Sequence, residues 1–447
     1  MDEIRTGLTI SIFSLTILFM IWKPKGLNET IPTFIGASLF LIFGIVPLSE
    51  VIDIFNMVSG PSITIISTIV MTVVLESVGF FKWVAQNIVL KTNGSGLRLF
   101  IYVNILCFFT TIFFNNDGSI LITTPIIIHI VTFLKLKDKQ KIPFLISGAL
   151  IATASSAPIA VSNIANLISL QIVGLDLNRY IYMMFVPSMV GIIIIGLLLY
   201  LYFRSEIPKR IPIINQAFDM SGKKHPLESS KPLTDVDWST LKLFFIIVVF
   251  VRAGYFVLSP FGISIEIISI VGAVIIILLR WIKQRKGIKD VIKRTPWHIL
   301  LFAFSMYILV FGLHNVGITN SIIDFLKPFI QDSVFNAIMI MGTFLSFLSN
   351  IVNNLPSVMI GTLMLTEMNL DIETIQLSYL ANVIGADIGS LLTPVGTLAT
   401  LIWMYLLKQN GIKITWGKYI KVTLMVIPIG LIMSLLSLYL WNLWLLN

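Results

Sequence analysis

Gly385-Ala386-Asp387-Ile388-Gly389-Ser390-Leu391-Leu392-Thr393-Pro394 sets two glycines, an aspartate and a proline inside a hydrophobic segment running from 376 to 407. An uninterrupted membrane helix does not carry a helix-breaking proline beside a carboxylate. The stretch reads as a long apolar span broken partway. A second copy lies upstream, where Ala152-Thr153-Ala154-Ser155-Ser156-Ala157-Pro158 interrupts the segment 143–173. Each break follows a pair of apolar arms meeting at a polar tip, Phe113-Phe114-Asn115-Asn116-Asp117-Gly118 in one case and Ser349-Asn350-Ile351-Val352-Asn353-Asn354-Leu355-Pro356 in the other. Asn116 precedes Pro158 by 42 positions and Asn354 precedes Pro394 by 40. Matching order at nearly matching spacing marks an internal repeat.

The composition around these stretches excludes a soluble domain. Of 447 residues, 56% are hydrophobic and 12% charged, against about 25% charged in soluble proteins. The runs Ile181–Phe203, Thr240–Leu258 and Val422–Leu446 approach or exceed the roughly 20 residues a bilayer core demands. Met1-Asp2-Glu3 lacks a basic region and no small-residue cleavage site follows, so 7–22 is expected to be a first span rather than a cleaved signal. Further segments fall at 31–49, 62–81, 98–134, 143–173, 181–203, 240–258, 264–282, 297–315, 334–366, 376–407 and 420–445.

With the N-terminus placed outside, one side collects 27 of the 31 Lys and Arg residues. Basic loops stay cytoplasmic, so both termini are expected outside, and the net charge of +9 is a topology signal rather than a nucleic-acid footprint. The expected fold is an all-α polytopic membrane protein of two inverted repeats, residues 1–203 and 240–447, joined by a proline-bearing cytoplasmic linker at 204–239. Hairpin tips are expected near 115–118 and 353–356, and broken helices near 152–163 and 385–397. Counting the Asn-bearing segments as re-entrant hairpins leaves about 10 transmembrane helices plus two hairpins, and counting them as crossings gives 12 or more spans.

Inverted repeats with broken helices are the architecture of secondary transporters. Backbone groups freed by Pro158, Gly385, Gly389 and Pro394 cannot face lipid, because each unpaired group costs several kcal/mol; they must be buried in protein or line a wet cavity. Asp117 and Asp387 sit in the paired breaks, and an ionisable group at such depth is rarely idle. Both are expected to couple protons, since loss of solvation brings a carboxyl group's titration toward neutral pH. Asn115, Asn116, Asn353 and Asn354, with Ser155, Ser156, Ser162, Asn163, Thr393 and Thr397, are the candidate substrate contacts, and Asn166 adds a further amide. Arg252, inside a span, is expected to serve a carboxylate or freed carbonyls.

No metal or cofactor is expected: the four histidines share no ligand spacing and Cys107 is the lone cysteine. No Gly-x4-Gly-Lys-Ser/Thr motif occurs, so an ion gradient or a separate ATPase must supply the driving force. An aspartyl protease reading fails because Asp387 lies in Gly-Ala-Asp and Asp117 follows Asn; the chain reads as a transporter, not an enzyme.

These motifs resemble the arsenical pump membrane proteins, arsenite efflux transporters of the ion transporter superfamily. The resemblance rests on Ala381 to Gly389, Thr393 to Trp403, Ile412 to Gly417, Asn116-Asp117-Gly118 with Thr124-Pro125, Asn353-Asn354-Leu355-Pro356, Trp22 to Leu27 and Val161-Ser162-Asn163. It spans nearly the whole chain in order. It implies a bacterial plasma-membrane protein exporting arsenite or antimonite in exchange for protons, sometimes assisted by a soluble pump ATPase. Arsenite near neutral pH is mainly a neutral hydroxylated species, which hydroxyl and amide groups can hold without thiols. Asn115, Thr153 and Ser390-Leu391 depart from the family pattern beside the site. The alternative is a Na⁺/H⁺ antiporter or an oxyanion/dicarboxylate carrier of the same superfamily.

Overall fold

Apolar runs of this length satisfy their backbone in lipid by forming helices. In the computed structural model, which describes residues 2–23, 27–213 and 237–446, every regular element is helical. Among the described residues, 11 helices are long and apolar enough to cross a membrane. The chain is an all-α polytopic membrane protein. Pro24-Lys25-Gly26 and most of the expected linker, with Pro226 and Pro232, lie outside the described residues.

The first part of the chain runs through α1 (Asp2–Trp22), α2 (Thr30–Ile42), α3 (Leu48–Ser77) and a shorter α4 (Phe80–Lys91). Next come α5 (Gly96–Phe113) and α6 (Asn116–Phe133), two arms meeting at Phe114-Asn115, and then α7 (Asp138–Ala154) and α8 (Ile164–Ile172), separated by the break at 155–163. A long α9 (Leu177–Phe203) completes this part. The second part presents α10 (Trp238–Leu258), α11 (Ile265–Gln284), a short α12 (Lys289–Arg294), α13 (His298–Asn315) and α14 (Ile318–Ile330). The arms α15 (Val334–Val352) and α16 (Asn354–Glu367) meet at Asn353, α17 (Ile372–Asp387) and α18 (Leu398–Gln409) flank the second break, and α19 (Trp416–Leu446) closes the fold.

Apart from α12, the element order occurs twice, and small details recur with it. The turns into α4 and α14 are made by Gly79 and Gly317, at φ +83° and +79°, a left-handed conformation that glycine adopts without steric cost. Packing is exchanged between the two parts: α2 lies against α13 and α3 against α11, α8 against α16 and α18 against α6. The extensive α9–α19 interface is made possible by Gly191 and Gly430. A methyl group on either would run into Ser434 or Ile195 of the facing helix.

Side chains are distributed as a lipid solvent requires. Ile267, Ile270, Val271, Val274 and Leu278 of α11 are exposed, whereas many Ser, Thr and Asn side chains are buried. Loops close on side-chain caps: Ser95, Asp176, Asp237, Ser333 and Asp371 each accept an N–H from the first turn of the following helix, a contact typically worth ~1 kcal/mol.

Candidate functional site

Asp387 ends α17 and is fully buried, yet its carboxylate receives donors from the other half of the chain. Asn163 Nδ2 donates to Oδ1 at 2.7 Å, Asn166 Nδ2 donates to Oδ2 at 2.7 Å, and Ser156 Oγ lies 2.8 Å from Oδ2. The first break explains why these donors converge. Asn163 is the N-cap of α8: its Oδ1 accepts the Ala165 N–H at 3.0 Å, which turns its amide nitrogen toward Asp387. Asn166 stands three residues further on, on the same helix face. Ser156 also reaches the Thr153 carbonyl at 2.7 Å, so its single proton has two acceptors. Tyr379 of α17 donates to the Asn166 carbonyl at 2.7 Å, a second tie across the halves.

The second break and the second tip are woven together. Asn350 Nδ2 donates to the Gly389 carbonyl at 2.8 Å, and its Oδ1 accepts the Thr393 N–H at 2.7 Å. Asn353 Nδ2 donates to the Val395 carbonyl at 3.0 Å, and the Asn354 N–H donates to the Gly396 carbonyl at 2.9 Å. Asn353 holds φ +83°, ψ 156°, a conformation costing a non-glycine residue about 1–3 kcal/mol and found chiefly at functional sites. Its Oδ1 is buried without a hydrogen-bond partner among the described residues. Thr397 caps α18 by accepting the Thr400 N–H at 3.0 Å.

The first tip is built differently. Asn115 Oδ1 caps α6 through the Gly118 N–H at 2.7 Å, and Asn116 Oδ1 accepts the Asp117 N–H at 2.8 Å. Asp117 is half-buried in the first turn of α6. Ser162 Oγ meets the Ile112 carbonyl at 3.4 Å, which joins the tip to the first break. Arg252 of α10 donates to the Phe113 carbonyl at 2.8 Å and the Phe114 carbonyl at 2.9 Å, so this buried cation serves the end of α5 rather than a carboxylate.

Of the candidate contacts, Ser156 and Asn163 touch Asp387 directly. Asn353, Asn354 and Thr393 form the second weave, while Asn115, Asn116 and Ser162 shape the first tip. Ser155 instead bonds its own helix, at 2.5 Å to the Ile151 carbonyl.

Four contributors escaped the reading of the sequence. Tyr180 takes the freed Ala157 carbonyl at 2.6 Å, and Tyr419 takes that of Leu391 at 3.1 Å, with Thr423 on Leu392 at 2.7 Å. Arg179-Tyr180-Ile181 and Lys418-Tyr419-Ile420, each in the first turn of a closing helix, carried the signal. Asn382, one and a half turns before Asp387, is fully buried, and neither its amide oxygen nor its nitrogen has a partner among the described residues. The arrangement can exchange a proton at Asp387 and offer amide and hydroxyl groups to a small polar solute.

Comparison with known proteins bears on which solute. A family model described as arsenical pump membrane protein matches residues 8–442. A chain of Bacillus subtilis (strain 168), whose name places it provisionally among arsenical pump membrane proteins, is 47% identical over 97% of this chain and 99% of its own length. An Escherichia coli arsenical pump membrane protein is 33% identical, covering 92% of this chain and 93% of its own. The Yersinia enterocolitica arsenical pump membrane protein is 31% identical over 95% of both.

Proposed function

The chain belongs to the arsenical pump membrane protein family, and from that premise we propose that it exports arsenite and antimonite from the cytoplasm of a bacterial cell in exchange for protons. The observation that carries the exchange is the triple hydrogen bonding of Asp387 by Ser156, Asn163 and Asn166.

An ionised carboxylate only accepts hydrogen bonds, whereas a protonated one has a donor of its own and less accepting capacity. With three of its roughly four lone-pair sites taken by Ser156, Asn163 and Asn166, the ionised form keeps one to accept a hydroxyl proton from a neutral hydroxylated solute such as arsenite. A proton on Asp387 fills that site and displaces the solute, so the two alternate at one carboxylate, as exchange requires. Proton and solute occupancy are linked through this one carboxylate, and linkage of this kind is reciprocal. The amide and hydroxyl chemistry also explains how a soft metalloid is handled without a thiol cluster. A carboxylate at the centre disfavours dicarboxylates and oxyanions by like-charge repulsion.

The two polar tips and two breaks support an inverted-repeat transporter whose site lies between the halves, with both termini outside the cell. No Gly-x4-Gly-Lys-Ser/Thr motif occurs in the chain, and an imposed pH gradient should suffice without ATP. A soluble pump ATPase would act as an added partner.

The test is arsenite uptake into everted vesicles from a host lacking its own pump, driven by a pH gradient. Asp387→Asn should reduce uptake and arsenite resistance to background while the protein is still inserted at wild-type level. Wild-type protection by Asp387→Asn would remove this carboxylate from the mechanism. Failure of the intact protein to protect against either metalloid, with sodium-dependent proton movement in its place, would support the antiporter reading.

A further inference from the structure

Away from the polar centre, a cavity of about 450 Å³ opens between α4, α5 and the first part of α10. Its walls are almost wholly apolar and rich in aromatic rings. Ile105 and Phe109 on its α5 wall are 45% and 51% exposed. In a protein that spans a bilayer such a face meets lipid, and an apolar recess there does not hold water. At one end lie Phe113 and Phe114, the residues whose carbonyls Arg252 holds. Phe81 meets Phe114 edge-on with ring centroids 5.5 Å apart, and Phe80 stacks on Phe245 at 5.1 Å. At the other end of α4 stands Lys91, exposed, with Tyr102 of α5 also lining the cavity. From Phe81 to Lys91 the helix rises ~15 Å, a length on the scale of a fatty acyl tail.

We propose that this crevice is a seat for one anionic phospholipid, its acyl tail lying between α4 and α5 against the first hairpin tip and its phosphate at Lys91. Two features select this occupant. The recess is long, apolar and open to the bilayer side, which fits a tail, and a cation closes one end, which fits an anionic headgroup. Trp83, which lines the crevice near its Phe81 end, sits edge-on to Trp238 at 5.7 Å. The seat is separate from the Asp387 centre and stands whichever solute the protein moves.

Trp83 supplies the probe. The purified full-length protein is reconstituted into phosphatidylcholine vesicles containing a minor fraction of tail-brominated phosphatidylglycerol or tail-brominated phosphatidylcholine. The Trp83 contribution to quenching is taken as the difference between wild type and Trp83→Phe. Brominated phosphatidylglycerol should quench this contribution about fivefold more effectively than brominated phosphatidylcholine, the preference one lysine confers near a membrane surface. Lys91→Gln should abolish the preference while Trp83 stays accessible to both lipids, and Lys91→Arg should restore it. Equal quenching by the two headgroups, an undiminished preference in Lys91→Gln, or no quenching that Trp83→Phe removes would each overturn the proposal. Because no metalloid transport enters this readout, its failure is distinguishable from failure of the proposed function.

Discussion

Ser155 and Ser156 are neighbours of one chemical type, and the structure separates them. Ser155 returns its proton to its own helix, whereas Ser156 reaches across the molecule to Asp387. Nothing in the local sequence distinguishes them, because the distinction is which side of the break faces α17. Asn163 and Asn166 were more legible: an N-cap amide followed three residues later by another puts two donors on one face. Asn382 poses the opposite case, a fully buried amide that satisfies neither of its polar atoms within the described protein. Leaving both unmet costs about 1–3 kcal/mol or more, so retaining this residue is uneconomical for packing alone. Asn382→Leu should therefore insert normally and melt no lower than wild type, yet raise the arsenite KM about tenfold, equivalent to ~1.4 kcal/mol. An unchanged KM together with a lowered melting temperature would assign Asn382 to structure only.

At the scale of elements, the broken helices hold together because other helices complete them. Pro158 and Pro394 were legible as breaks, and their freed backbone was expected to be buried in protein or to line a wet cavity. The structure gives the carbonyls of Ala157 and Leu391 to tyrosines in the first turns of α9 and α19. Tyr180→Phe and Tyr419→Phe each delete one hydroxyl and strand a buried carbonyl, at a cost of about 1–3 kcal/mol. Both variants should show faster amide exchange at 155–163 or 388–397 respectively, with the other break unchanged. Equal exchange at both breaks in either variant would show that the tyrosines do not brace them locally. The tips differ in the same terms: Asn350 and Asn353 tie the second to its own break, whereas the first needs Arg252 from α10.

Across the whole molecule, the repeated element order and the exchanged packing of α2 with α13 and α3 with α11 place the two halves around one centre. From the charge pattern we propose that they run in opposite directions through the membrane, and matched loops provide the check. Single cysteines at Gly174, between α8 and α9, and at Asn410, between α18 and α19, are introduced into a Cys107→Ser background; Cys107 itself is fully buried. A membrane-impermeant thiol reagent applied to intact cells should label the first position and spare the second. Labelling of both from the same side would disprove the inversion.

The amino-acid sequence by itself determined that the chain is a helical membrane protein, where its helices break and which polar residues sit at those breaks. Those features follow from local composition, because lipid tolerates so few backbone solutions. Only the tertiary structure decided which polar groups meet. Ser156, Asn163 and Asn166 lie 231, 224 and 221 positions from Asp387, and their convergence depends on how one half packs against the other. The same holds for Arg252 and the first tip and for the tyrosines of α9 and α19. A buried hydrogen bond is specified by the direction and position of both partners, and over such separations these are set by packing rather than by spacing along the chain.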